Sequence, residues 1–230
     1  MLRRYPEADG RIRLHDVTVR YGRRIALEAV SGEFAAGSLT AVVGANGAGK
    51  STLLAVIAGV KRLAGGVVDG IARQRVAYLP QLAAIDREYP LTVSELITLG
   101  AWREFGAFRS PGTGLRARAA AVAETVGLAG RLGRPIGEMS VGELQRALFA
   151  RLILQDAAVI LLDEPFAAVD AQTMSVLLDQ VVQWHQEGRT VIAVLHDLDL
   201  VQAHFPSTVV LARRCLAWGA TEVALPAMAA

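Results

Sequence analysis

Two short stretches of this 230-residue chain hold residue types that can do chemistry together. The first is GANGAGKST, residues 44–52, which fits G-x-x-x-x-G-K-[ST] at Gly44, Gly49, Lys50 and Ser51. Glycines at this spacing let successive backbone N–H groups turn inward around phosphate oxygens, at the positive end of the helix that follows. Lys50 supplies a point charge for the β- and γ-phosphates, and the Ser51 hydroxyl is a hard oxygen ligand for Mg²⁺. Ala45, Asn46, Gly47, Ala48 and Thr52 complete the loop around the phosphates. A buried strand before it (SLTAVVG, 38–44) and a helix after it (KSTLLAVIAG, 50–59, closed by Gly59) distinguish the loop from an ordinary glycine turn. The second stretch is VILLDEP, 159–165, an apolar strand ending in two adjacent carboxylates. Asp163 at the strand's end can hold Mg²⁺ through its water shell, and Glu164 can face an attacking water as general base. Acidic residues also end strands at surfaces with no such role. The phosphate loop in the same chain favours the chemical reading.

A third stretch, MSVGE (139–143), reads locally as a helix start. Ser140 is the N-cap, Glu143 closes a capping box, and Met139 with Leu144 forms a hydrophobic staple. A glycine, Gly142, stands in the first turn where alanine makes the better helix. Local rules give no reason for it.

The elements that must position these residues alternate in type. RIRLHDVTVRY (11–21) alternates apolar and polar residues with a break near His15–Asp16, which predicts two short strand pieces. GGVVDG and RVAYLP (75–80) predict further short strands, the second ended by Pro80. From 82 to 155 the pattern is helical. LTVSELITLG (91–100) carries its own Thr92–Glu95 capping box and a Leu91/Leu96 staple, REFGAFRSPGTG (103–114) is loop-like, and helices follow at 115–128 and 141–155. Strands return at 158–162, 190–195 and 208–212, alternating with helices at 171–187 and 198–204, which implies parallel strands and an α/β core. The helical stretch is thus an insertion into one core.

Bulk properties narrow the classes. The chain is 53% hydrophobic, yet no apolar run approaches the roughly 18 residues that span a bilayer. MLRRYPEADG lacks the apolar region of a secretory signal. One cysteine, Cys215, excludes a disulfide framework and fits a reducing compartment. A net charge of +2 gives no ground for nucleic-acid binding, and the pairs Arg3–Arg4, Arg23–Arg24 and Arg213–Arg214 read as solvated faces. His15, His185, His196, His204 and Cys215 form no cluster with metal-ligand spacing. No N-K-x-D element for guanine is present, which argues against a GTPase.

The phosphate loop, MSVGELQRALFARLILQDAAVILLDEPFAAVD (139–170) and VLHDLDL (194–200) together resemble the ATP-binding subunits of ABC transporters, in order and spacing and over almost the whole chain. The resemblance implies a P-loop NTPase of the ABC ATPase type, one α/β domain over 1–230. Its core, mainly parallel sheet with an N-terminal antiparallel β region, takes residues 1–81 and 156–230. A helical subdomain, 82–155, carries the signature motif. By the same resemblance Tyr21 stacks on adenine, although a strand tyrosine with a partly buried ring is the alternative. Gln81 sits in the loop that contacts Mg²⁺ or the lytic water, and His196 meets the γ-phosphate and orients that water. Asp170 links the two nucleotide sites of a dimer. MSVGE falls at the signature usually written LSGGQ, so Ser140, Val141, Gly142 and Glu143 approach the ATP held by the opposite subunit. Met139, Val141 and Glu143 depart from that motif, as Ala45 does from the proline frequent in the loop. Glu143 adds a negative charge near another unless it folds back onto the cap.

The implied assembly is a homodimer of ATPases beneath a separate multi-span permease, with a separate extracytoplasmic solute-binding protein. The chain is then peripheral, on the cytoplasmic face of the inner (plasma) membrane. DEPFAAVD and HDLDLV resemble most the ATPases of zinc and manganese importers. Siderophore or haem importers come next, and ABC-type ATPases outside transport are the remaining alternative. Trp102, Phe105 and Phe108 suit either a permease docking surface or the small core of the insertion.

Overall fold

A computed structural model describes residues 10–70, 76–106, 110–167 and 169–228. The chain divides into two compact units. One is built from the described residues of Met1–Tyr78, Ala158–Pro165 and Val182–Ala230, the other from those of Leu79–Ala157 and Phe166–Val181.

The first unit opens with β1 (Ile12–Tyr21) and β2 (Arg24–Phe34), then β3 (Leu39–Val43), α1 (Lys50–Ile57), β4 (Gly65–Asp69) and β5 (Val76–Leu79). β1 is a single strand where the sequence pattern predicts two. The break at His15–Asp16 is a bulge: the register shifts between Leu14 and Val17, and Asp16 takes a φ of 48°. Ser31 closes it by accepting from the Asp16 N–H at 2.8 Å and donating to Asp16 Oδ1 at 2.9 Å. The bulge therefore bends the strand without ending it. β1 lies between β2 and β4, antiparallel to both, in a three-stranded sheet.

In the second unit lie α2 (Val93–Thr98), α3 (Trp102–Phe105), α4 (Thr113–Thr125) and α5 (Val141–Gln155). Here the expected loop at 103–114 is partly helical. Trp102–Phe105 forms one turn that the Trp102–Phe105 ring pair, 5.4 Å apart and edge to face, helps to hold. α4 also starts two residues earlier than its pattern suggests. Alanines at 119 and 123, one helical turn apart and fully buried, let α5 pack closely on α4, while Val93, Leu96 and Ile97 of α2 fill the rest of this core.

β6 (Val159–Asp163) returns the chain to the first unit. α6 (Ala171–Gln186), β7 (Thr190–Val194), α7 (Leu198–His204), β8 (Ser207–Ala212), β9 (Arg214–Ala220) and α8 (Thr221–Ala224) complete the fold. The second sheet has the order β5-β6-β7-β3-β8-β9. β6, β7, β3 and β8 run parallel, and β9 joins antiparallel at the edge. β3, β6 and β7 are buried at every position, which is why they read as unbroken apolar runs. β2 and β9 fall outside the predicted strands. Their half-exposed, irregular burial carries no clean alternation to detect. Ile12, Leu14, Val17 and Phe34 share one core with Leu53, Leu54 and Ile57 of α1 and with Val42, Leu161 and Ile192 of the parallel sheet.

The register matters for function. Asp163, Val194 and Val42 stand side by side across β6, β7 and β3. Gly44, Glu164 and His196 follow just beyond this row, at the carboxyl edge where open parallel sheets place their ligands.

Trp184 on α6 is among the largest buried side chains, with 1% of its surface exposed. Truncation to alanine should lower the unfolding free energy by about 3–5 kcal/mol, measured by urea unfolding. A loss below about 1 kcal/mol would show that the site collapses around the missing ring.

Candidate functional site

In the first unit the phosphate loop is shaped by glycines that nothing else can replace. Gly44 has φ 148°, and a Cβ there would stand 2.2 Å from the Leu211 carbonyl oxygen. Gly49 has φ 100°, and its Cβ would meet the Ala26 carbonyl oxygen and the Leu27 side chain at 2.5 Å. The loop is thus pressed against backbone on one side. Ala45, Asn46 and Gly47 are exposed on it, Ala48 is buried, and Ser51 and Thr52 are half-buried in the first turn of α1. α1 starts from Gly49 in a left-handed conformation without a side-chain cap.

Lys50 is buried and donates to the carbonyl oxygens of Gly44 at 2.8 Å and Ala45 at 3.1 Å. Its ammonium titrates below the usual lysine range because of burial, which the charges of Glu164 and Asp163 oppose. Ser51 Oγ donates to Asp163 Oδ1 at 3.0 Å, joining residues that are 112 apart in sequence. Asp163 is buried, and its carboxyl is pushed up to about 6. Burial is the main cause; the Ser51 hydrogen bond opposes it, the Glu164 charge adds to it, and Lys50 and His196 oppose it.

Glu164 takes φ 53°, an unusual conformation for a non-glycine residue, and donates its N–H to the Val194 carbonyl at 3.2 Å. Its Oε1 lies 2.8 Å from His196 Nε2. Lys50, Ser51, Asp163, Glu164 and His196 are therefore gathered at the sheet's carboxyl edge. The set fits a nucleoside triphosphate with Mg²⁺: a glycine cradle that side chains would fill, a buried ammonium, and the hard oxygens of Ser51 and Asp163.

Tyr21 ends β1 with 49% of its surface exposed, and the Lys61 ammonium lies 3.7 Å from its ring centroid. The ring is available at the surface and not packed into the strand core. Two neighbours escaped the sequence reading. Arg24, whose pairing with Arg23 reads as a solvated face, brings Nη2 to 3.4 Å from where a Gly47 Cβ would stand. The only signal was its place three residues after Tyr21. Tyr78 on β5 is raised to about 12, mainly by burial and then by the nearby Asp163 and Tyr21.

The second unit carries the other site residues. Gln81 is half-buried, and its carbonyl accepts from the Ala84 N–H at 2.9 Å. Ser140 is the N-cap of α5: its Oγ accepts from the Glu143 N–H at 3.2 Å, and Glu143 Oε2 accepts from the Ser140 N–H at 2.9 Å. The capping box read from MSVGE is present, with Met139 and Leu144 both buried. The Glu143 carboxyl is held below its usual range, first by the Ser140 backbone N–H, and Arg131 and Arg134 add to this. Arg87 donates to the carbonyl of Met139 at the same helix entry.

Asp170 precedes α6 and accepts from the N–H and hydroxyl of Thr173 at 2.8 and 2.9 Å. Arg146 Nη1 donates to the same hydroxyl at 2.8 Å. Gly142 and Asp170 are brought close: a Cβ on Gly142 would stand 3.7 Å from Asp170 Oδ2 and 3.6 Å from Thr173 Oγ1, an ordinary contact. Val141 is half-buried at the first helical position. Trp102 is 46% exposed and Phe105 half-buried, while Phe108 lies outside the described residues, as do Arg3–Arg4.

A glycine cradle, buried lysine, Ser51–Asp163 pair and adjacent glutamate on a parallel sheet define a P-loop nucleotide-hydrolysing protein. The chain belongs to the ABC transporter family, whose model matches residues 27–167, and it is an ATPase. It is 34% identical over 215 residues to the "Manganese transport system ATP-binding protein MntB" of Listeria monocytogenes, covering 91% of this chain and 90% of that protein. It is 37% identical over 215 residues to the "Zinc transport system ATP-binding protein TroB" of Treponema pallidum, covering 91% and 81%. Among solved structures, a nucleotide-free ATP-binding cassette from an ABC transporter matches with a TM-score of 0.79 and 23% identity, over 95% of this chain and 94% of the other, which supports the fold.

The Asp163 shift has a sign that can be measured. Its folded value of about 6 lies above the ordinary 3.8, so its contribution favours the fold below about 3.8 and is lost as pH rises through about 6. Asp163→Asn keeps an oxygen for Ser51 and removes the buried charge. At pH 8 without divalent cations it should raise the unfolding free energy by about 1–3 kcal/mol, with the gain fading as pH falls through 6. Urea unfolding at pH 8 and pH 5 reads this. An asparagine variant less stable at pH 8 would overturn it.

Proposed function

We propose that this chain is the ATP-hydrolysing subunit of a metal-ion importer, with zinc or manganese as the transported ion. The carrying observation is the cluster of Lys50, Ser51, Asp163, Glu164 and His196 at the sheet's carboxyl edge. The names of the manganese and zinc relatives support the metal assignment. Backbone N–H groups of residues 44–52 and the Lys50 ammonium bind the triphosphate. Tyr21, exposed at the end of its strand, offers a ring face to adenine.

Ser51 and Asp163 would hold Mg²⁺, which when bound would neutralise charge on the phosphate oxygens. Ser51 already stands within hydrogen-bond reach of the carboxylate with which it shares that task. Glu164 accepts a proton from the attacking water, and His196, bonded to its Oε1, orients the carboxylate and meets the γ-phosphate. The unusual φ of Glu164 is the kind of local strain that a reacting group can require.

The active form is a homodimer in which Ser140, Val141, Gly142 and Glu143 of one protomer approach the ATP of its partner, and Asp170 links the two sites. The helical residues 82–155 are the insertion carrying this signature. A separate multi-span permease and a separate extracytoplasmic solute-binding protein complete the system, which places this subunit peripherally at the cytoplasmic face of the membrane. Among the described residues no helix is long and apolar enough to cross one.

Glu164→Gln should retain ATP binding, lower ATP turnover at least about a hundredfold, and accumulate as an ATP-bound dimer in size-exclusion chromatography. Normal turnover by that variant would refute the role given to Glu164. Gly142→Ala separates fold from chemistry at the signature. Its Cβ meets only ordinary contacts, so thermal stability should hold, whereas ATP hydrolysis should fall at least about tenfold by crowding a phosphate. Full hydrolysis by a stable Gly142→Ala protein would remove the phosphate from this helix end.

A further inference from the structure

The signature helix carries a carboxylate where an anion is to be approached. Glu143 is the third residue of α5, and its side chain is only 16% exposed. An uncompensated negative charge there would oppose the attraction of a helix N-terminus for phosphate. Its surroundings resolve this conflict. One oxygen, Oε2, folds back onto the Ser140 N–H at 2.9 Å. The other, Oε1, faces two guanidinium groups: Arg131 Nε at 3.4 Å and Arg134 Nη1 at 3.9 Å.

These arginines are not on a loose surface loop. The segment that bears them is tied to the start of α2: Ser94 N–H donates to Leu132 O, Val93 N–H to Arg134 O and Ile136 N–H to Leu91 O, each at 2.9 Å. Arg134 N–H also donates to Arg131 O at 3.0 Å, which fixes the spacing between the two residues. Arg134 has a further partner in Glu138, with its Nη2 on the carbonyl at 3.2 Å and its Nε 3.9 Å from the carboxylate. Arg131 makes the shorter approach to Glu143, 3.4 Å against 3.9 Å for Arg134.

We propose that Arg131 and Arg134 are positioning residues for ATP hydrolysis. They hold Glu143 folded onto its cap and neutralise it, so that a glutamate can serve in the signature in place of a neutral glutamine. The inference rests on the reading of this helix end as a nucleotide contact. The arginines act through Glu143 and not on the nucleotide itself. Their importance should therefore disappear when the carboxylate is removed.

The test is a double-mutant cycle on the full chain, assayed for ATP turnover together with its permease. Arg131→Ala/Arg134→Ala should reduce kcat/KM for ATP about tenfold in the Glu143 background, where an uncompensated charge faces a phosphate. In a Glu143→Gln background the same pair should fall within about twofold of Glu143→Gln alone. Arg131→Lys/Arg134→Lys, which keeps the charge, should retain most of the activity and guards against simple misfolding. Equal losses in both backgrounds, or no loss beside Glu143, would overturn the proposal. Ser140→Arg, assayed in parallel, addresses the underlying reading separately. Full turnover there would sink the nucleotide contact, whereas loss there with equal arginine losses would sink only the arginine role.

Discussion

The hydrogen bond from Ser51 to Asp163 is the interaction that organises the first unit. It spans 112 residues and can form only if β3 and β6, separated by β7, end at the same level of the sheet. The register that sets Asp163 beside Val194, and Val194 beside Val42, makes them do so. Forming this bond at the edge of an apolar core leaves Asp163 buried beside a buried ammonium and a second carboxylate. Burial disfavours both charged forms, raising Asp163 and lowering Lys50, while their mutual attraction partly offsets that cost. The apolar strands beneath, buried at every position, provide the rigidity that keeps these groups together.

The same constraint explains which parts were legible in the sequence. Buried parallel strands are continuous apolar runs, and a phosphate loop needs glycine at fixed places, so β3, β6, β7 and the loop could be read directly. The helix starts at Thr92 and Ser140 were equally readable, because a capping box is a local contract between residues three apart. β1 reads as two pieces because Asp16 looks like a strand end, while its partner Ser31 lies too far along the chain to be paired by pattern. β9, at the sheet edge and half-exposed, carries no period. Arg24, Arg131 and Arg134 were illegible as site residues for a related reason: an arginine's role depends on what the fold brings to its guanidinium.

The two helix N-termini present different chemistry to an anion. α1 begins at a left-handed glycine without a side-chain cap, so no capping side chain occupies its first-turn N–H groups. α5 consumes part of the same resource internally. Ser140 Oγ takes the Glu143 N–H, and Glu143 Oε2 takes that of Ser140. The donors left in its first turn are the N–H groups of Val141 and Gly142, together with the Ser140 hydroxyl hydrogen.

That inventory accounts for which departures from the signature pattern the helix can carry. The Val141 side chain replaces a hydrogen, yet the backbone N–H beneath it is unchanged, and a β-branched residue costs little at a first helical position. Met139 lies before the cap and is buried, so its contribution is packing. Gly142 is different. A Cβ there has room among Thr173 and Asp170, so the fold does not require glycine, and its use must lie on the side that the fold leaves open. Glu143 is the one departure that changes charge. Its retention is physically consistent because the carboxylate is turned away onto its own cap and met there by two arginines.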